Sequence, residues 1–136
     1  DVNNEFKSNE LNNKNFFFTN SIDDVKNYNF FIICVPTPIT NKNKPDLSPL
    51  KTSFNFISKI LKKGDIIVLE STVYPGVTKK FTKLLEQKTN LKDNKDFYVC
   101  YSPERINPGD KENNLTKINK ILPMNKNNIP KLLLPV

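Results

Sequence analysis

The sequence predicts an α/β fold with a doubly wound parallel sheet, and three observations carry that expectation. Short apolar runs at 30–35, 66–69 and 97–100 alternate with longer stretches whose apolar residues recur at helical spacing. The runs do not alternate between apolar and polar residues, so both faces of each strand need cover, as in a parallel sheet flanked by helices. Each run is followed by a loop of unusual polar character. In open α/β sheets ligands bind beyond the carboxyl ends of the strands.

Residues 1–15 are polar and Asn-rich and read as a lead-in without regular structure. Phe16-Phe17-Phe18-Thr19 has the composition of a short strand. Ser21 then offers a capping hydroxyl, and Asp23 and Asp24 suit the positive end of a helix dipole, so a helix starts there. The run at 30–35 is the next strand, with Cys34 inside it. Ser48-Pro49 opens a second helix, with Ser48 as the cap and Pro49 at the first helical position, where a missing N–H costs nothing. Leu50, Phe54, Ile57 and Leu61 form its buried stripe, and Gly64 ends it after Lys62-Lys63. A strand follows at 65–69, then a helix over 77–88 with Val77, Phe81, Leu84 and Leu85 facing inward, then the strand at 97–100 with Cys100 in its core. Pro123, Pro130 and Pro135 break the remainder before another element can form.

Composition removes several function classes. The 136 residues suit one domain rather than two. Hydrophobic residues at 37% allow only a modest core. No apolar run approaches the ~18 residues of a membrane-spanning helix, and the acidic start is unlike a secretory signal. With no His and two Cys, the common zinc centres, a disulfide framework and a Ser-His-Asp mechanism are all excluded, and no metal is expected. The 21 basic against 14 acidic residues give a net charge of +7, but the lysines are scattered from Lys7 to Lys131 without a dense cluster. No nucleic-acid partner is expected, because phosphate-binding surfaces concentrate charge on one face and use Arg. With 21 Asn and 20 Lys beside a single Arg and no Ala, the chain carries the mark of AT-rich coding. Residues that resist such a drift are the informative ones.

Those exceptions collect in the three loops. The first carries Pro36-Thr37-Pro38, two prolines stiffening the chain around one hydroxyl. The second, Glu70-Ser71-Thr72-Val73-Tyr74-Pro75-Gly76, presents two hydroxyls just before a helix start, where backbone N–H groups favour anions. The third, Tyr101-Ser102-Pro103-Glu104-Arg105-Ile106-Asn107-Pro108-Gly109-Asp110, holds the only Arg beside a carboxylate. Together they hold Arg105, two of the three Gly and five of the ten Pro. Hydroxyls, a carboxylate acid/base and a guanidinium able to fork onto an oxyanion suit a phosphorylated or nucleotide-linked substrate.

With these motifs in this order and spacing, together with Pro45-Asp46-Leu47-Ser48-Pro49-Leu50 and Lys63-Gly64-Asp65, residues 16–121 resemble the UDP-glucose/GDP-mannose dehydrogenases. The Ser-Pro-Glu-Arg form of the third loop is similar to the bacterial branch acting on UDP-N-acetylhexosamines. The resemblance implies a Rossmann-type sheet, NAD as cofactor, and oxidation of a UDP-sugar C6 alcohol to a carboxylate through an aldehyde and a cysteine-linked thioester. It implies that Thr37, Ser71 and Thr72 contact NAD, that Glu104 serves acid/base chemistry, and that Arg105 and Ile106 border the nucleotide-sugar. A cytoplasmic enzyme of surface polysaccharide biosynthesis, homo-oligomeric at full length, is the corresponding expectation.

The departures are specific. The three glycines, Gly64, Gly76 and Gly109, leave no Gly-x-Gly-x-x-Gly fingerprint, so the sheet is expected to lack its first βαβ unit. Cys34 and Cys100 match no nucleophile of the family and are expected to be small buried hydrophobes. Residues 122–136 read as a non-homologous or out-of-frame tail. The chain is therefore expected to be an internal fragment, inactive alone, covering the second part of an NAD-binding domain. The alternative is a non-catalytic fragment that acts only as an assembly or partner-binding module through its unpaired sheet edge.

Overall fold

A computed structural model describes residues 17–103. In chain order they form α1 (Ile22–Val25), β1 (Phe30–Ile33), α2 (Ser48–Ile57), β2 (Ile66–Leu69), α3 (Val77–Thr89) and β3 (Tyr98–Tyr101). The three strands make one parallel sheet in the order β1-β2-β3. Their register is level: Phe30, Ile66 and Tyr98 begin one row, and Ile33, Leu69 and Tyr101 end another. This is the expected Rossmann-like α/β arrangement, with α2 and α3 as the crossovers.

Side-chain alternation divides the sheet into two faces. Ile33, Ile67 and Leu69 join Leu50, Phe54 and Ile57 of α2, Val77, Phe81 and Leu85 of α3, and Phe97 in the main core. Within it the rings of Phe54 and Phe81 stack, centroids 4.9 Å apart, and lock the two helices together. Ile66, Val68 and Cys100 form a smaller cluster flanked by Phe30 and Tyr98. Ile32, in the same row as Val68 and Cys100, is 56% exposed. The expectation that every strand is covered on both faces therefore fails at β1.

Local boundaries follow from identifiable groups. Ser21 caps α1 as expected, its hydroxyl accepting from the Asp23 N–H. Ser48 is not the cap of α2. It is the first helical residue, Leu47 occupies the cap position, and the Asp46 carboxylate accepts the Ser48 N–H at 2.8 Å. The Ser48 N–H and hydroxyl hold the Asp46 carboxyl below its ordinary pKa. The helix ends at Ile57 rather than Leu61, and tighter turns carry the chain on to Leu61. Gly64 then adopts φ +91°, a backbone that side-chain-bearing residues rarely enter, and gives its N–H to the Asp96 carbonyl. Asp65, 1% exposed, closes the turn by accepting the Lys62 N–H on its carboxylate.

Two other expectations are corrected. Residues 17–19 are not a strand, and Phe17 and Phe18 stand exposed; Phe16 lies outside the described residues. β1 stops at Ile33 because its partner β2 stops at Leu69, so Cys34 leaves the sheet and is exposed, whereas Cys100 is buried. No helix among the described residues is long and apolar enough to cross a membrane.

Candidate functional site

The level register sends the chain out of all three strands at one edge of the sheet. Beyond that edge, Cys34, Val35, Pro36, Thr37, Glu70, Ser71 and Thr72 line an open groove of about 340 Å³. Thr37, Ser71 and Thr72, 35 residues apart in sequence at the widest, are thus brought together. Glu104, Arg105 and Ile106 lie outside the described residues, three to five positions after the last residue of β3.

The loops owe their shape to identifiable bonds. Beyond Pro38 the first loop forms a small antiparallel turn, with Ile39 bridging Pro45 and the Thr40 N–H donating to the Lys44 carbonyl. The second is tied to β1 by the Glu70 and Ser71 N–H groups, which both reach the Ile33 carbonyl, at 2.9 and 3.2 Å. It ends in Gly76, whose φ of +95° turns the chain into α3. Between the loops, the Thr37 hydroxyl donates to the Thr72 carbonyl at 2.9 Å and the Ser71 hydroxyl to the Val35 carbonyl at 2.7 Å.

Two groups in the groove were not singled out from the sequence. Among the described residues Glu70 supplies the one carboxylate lining it, and Cys34 the thiol. Glu70 was recognisable as the first residue beyond an apolar run, at a strand's carboxyl end. Cys34 was hidden because the run continues as far as Val35. No group of three or more His, Cys, Asp or Glu side chains suited to a metal occurs among the described residues.

The groove fits part of a dinucleotide. Its volume is at the low end for ligand sites, and its hydroxyls lie just before the amino end of a thirteen-residue helix, the usual place for a phosphate or ribose. A larger apolar groove of about 470 Å³ runs along the outer edge of β1, lined by Val25, Tyr28, Phe30, Ile32 and Phe56 among others. It lies along the strand rather than at the strand ends.

Residues 3–132 match the NAD-binding domain of the UDP-glucose/GDP-mannose dehydrogenases. The chain belongs to that family. It is 48% identical over 123 residues to the UDP-N-acetyl-D-glucosamine 6-dehydrogenase of Salmonella typhi, a match covering 89% of this chain and 29% of the relative. It is 50% identical over 105 residues to the enzyme of the same name from Pseudomonas aeruginosa, covering 76% of this chain and 25% of the relative. The solved structure of UDP-D-ManNAc dehydrogenase from Pyrococcus horikoshii superposes with a TM-score of 0.64 at 42% identity, over 67% of this chain and 22% of that one. The chain thus spans between about a quarter and three-tenths of these two curated relatives, and matches the NAD-binding domain of the family.

Proposed function

We propose that residues 16–121 are the second part of the dinucleotide-binding domain of an NAD-dependent nucleotide-sugar 6-dehydrogenase, and that the 136-residue chain alone does not turn over. The reaction is oxidation of the C6 alcohol of a UDP-N-acetylhexosamine to the carboxylate, in the cytoplasm, by a homo-oligomeric full-length enzyme. The observation that carries this reading is the meeting of Thr37, Ser71 and Thr72 in one groove at the carboxyl ends of parallel strands. Bound there, NAD supplies the hydride acceptor. The chain's own part is to orient it, with the Thr37 and Thr72 hydroxyls beside it and the backbone amides entering α3 facing its polar portion. Glu104 would handle the proton of the sugar hydroxyl, and Arg105 and Ile106 would border the nucleotide-sugar. The motif that follows β3 in sequence supports those three roles.

The test is a graft of residues 16–121 into the Salmonella typhi relative in place of its matching segment. NADH formation from UDP-N-acetyl-D-glucosamine is expected, and Glu104→Gln in the graft should lower kcat by at least about a hundredfold, as loss of a general acid/base does. A folded graft that binds no NAD refutes the cofactor reading, and an unchanged kcat refutes the role of Glu104. A second reading, an assembly module, is favoured by the edge of β1 that is unpaired among the described residues and by its apolar groove. A monodisperse monomer at high concentration in light scattering argues against it.

A further inference from the structure

The hydroxyls around the groove are not equivalent. Ser71 is 7% exposed, and a Ser hydroxyl has one proton; that proton goes to the Val35 carbonyl at 2.7 Å, with the Ile33 carbonyl a more distant acceptor at 3.4 Å. Ser71 therefore has no donor left for a phosphate. Thr37 has likewise committed its proton, to the Thr72 carbonyl, and faces a ligand as an acceptor. The two bonds are reciprocal: the first loop grips the backbone of the second, and the second grips the backbone of the first.

A third side chain completes the arrangement. Tyr101, the last residue of β3, places its hydroxyl 3.3 Å from the Val73 nitrogen, whose N–H it accepts, and 3.4 Å from the Val73 carbonyl oxygen. The segment Ser71-Thr72-Val73 is thus held from both sides, by the first loop and by the end of the third strand. Each bond is weak alone, a net ~0.5–1.5 kcal/mol. Together they fix the backbone that carries Thr72, whose side chain is exposed toward the groove.

We infer that Ser71 and Tyr101 are positioning residues: with Thr37 they form a hydroxyl clasp that sets the height and angle of Thr72 and the Val73 backbone against the bound dinucleotide. Ser71 acts through the Val35 carbonyl and Tyr101 through Val73. The inference rests on the NAD reading of the groove, and it changes the expected part of Ser71 from ligand contact to support. Misplacement of a binding group by about 1 Å can cost up to a hundredfold in efficiency, which makes the clasp measurable.

Two measurements test it. The first is amide hydrogen exchange of the 136-residue chain without cofactor. Tyr101→Phe should speed exchange at Val73 by about fivefold or more, the loss of one ordinary hydrogen bond, while Ile67 and Leu85 in the core stay unchanged. Unchanged exchange at Val73, or a uniform increase at all three, overturns the clasp. The second is made in the Salmonella typhi relative at the positions matching Ser71 and Tyr101. Replacement by Ala and Phe should raise KM for NAD about tenfold with kcat within about threefold, and Thr at the serine position should restore most of the loss. Equal losses in kcat and in affinity without rescue, or no change, overturn the positioning role. Exchange is read without NAD, so it fails only with the clasp, whereas the kinetic arm also fails if the groove does not take the cofactor.

Discussion

Asp65 shows how a single carboxyl can be both necessary and costly. Its oxygen satisfies the Lys62 N–H, yet burial raises its pKa more than the Lys62 bond and charge lower it. Below the ordinary carboxylate value of about 3.9 it is neutral both folded and unfolded. As the pH climbs from there to the raised folded value, the unfolded chain ionises first, so folding loses stability across that window. Asp65→Asn keeps an oxygen acceptor and cannot ionise. Its stability relative to the parent should therefore rise with pH through the same window, as urea unfolding below pH ~4 and at neutrality would show. A difference that stays constant with pH would remove burial as the cause. The two cysteines make a second contrast. Burial, with the Asp93 charge adding to it, pushes the Cys100 thiol up to about 11, whereas Cys34 is exposed. Iodoacetamide at neutral pH should give one adduct, at Cys34, by mass spectrometry, and a doubly modified native protein would contradict this. The exposure of Cys34 was not legible in the sequence, because the apolar run passes through it. What ends β1 is pairing with a strand more than thirty residues away.

At the scale of elements, α2 and α3 meet through one stacked aromatic pair within a shared core. Phe54→Ala removes the stack with Phe81 from a fully buried site and should cost about 3–5 kcal/mol, a large share of what a domain of this size has to spare. Denaturant melts should show it, and a loss below ~1 kcal/mol would mean that the helices pack independently of that contact. The helix periodicity made Leu50, Phe54, Ile57, Val77, Phe81 and Leu85 readable as core, because an amphipathic stripe is a local pattern. Buried Thr82 was not readable, since its hydroxyl hides by donating to the Thr78 carbonyl within its own helix. The start of α2 was misread by similarly local logic. Ser48 is a good capping type, but the path of the backbone puts Leu47 at the cap and makes Ser48 the first helical residue, its N–H given to the Asp46 carboxylate.

The whole sheet was legible in kind, since apolar strands alternating with amphipathic helices leave few topologies open. The missing glycine fingerprint led to the expectation of a sheet without its first βαβ unit, and among the described residues that expectation has a counterpart in Ile32. A strand apolar on both faces is built for the interior of a sheet, but among the described residues β1 pairs on one side only. Such an edge invites association, so Ile32→Lys should lower the apparent mass in light scattering at high concentration without changing the far-UV spectrum. An unchanged mass would locate any association elsewhere. The level register has a different consequence. Because the three strands finish in step, the loops leave from a common plane, like fittings on one workbench. A loop can lengthen, shorten or change chemistry beyond the clasped residues, as the first does after Pro38, while the bonds among Val35, Thr37, Ser71, Thr72, Val73 and Tyr101 keep the common footing. Within this architecture the outer parts of the loops can vary while the sheet and the clasp beneath stay as they are.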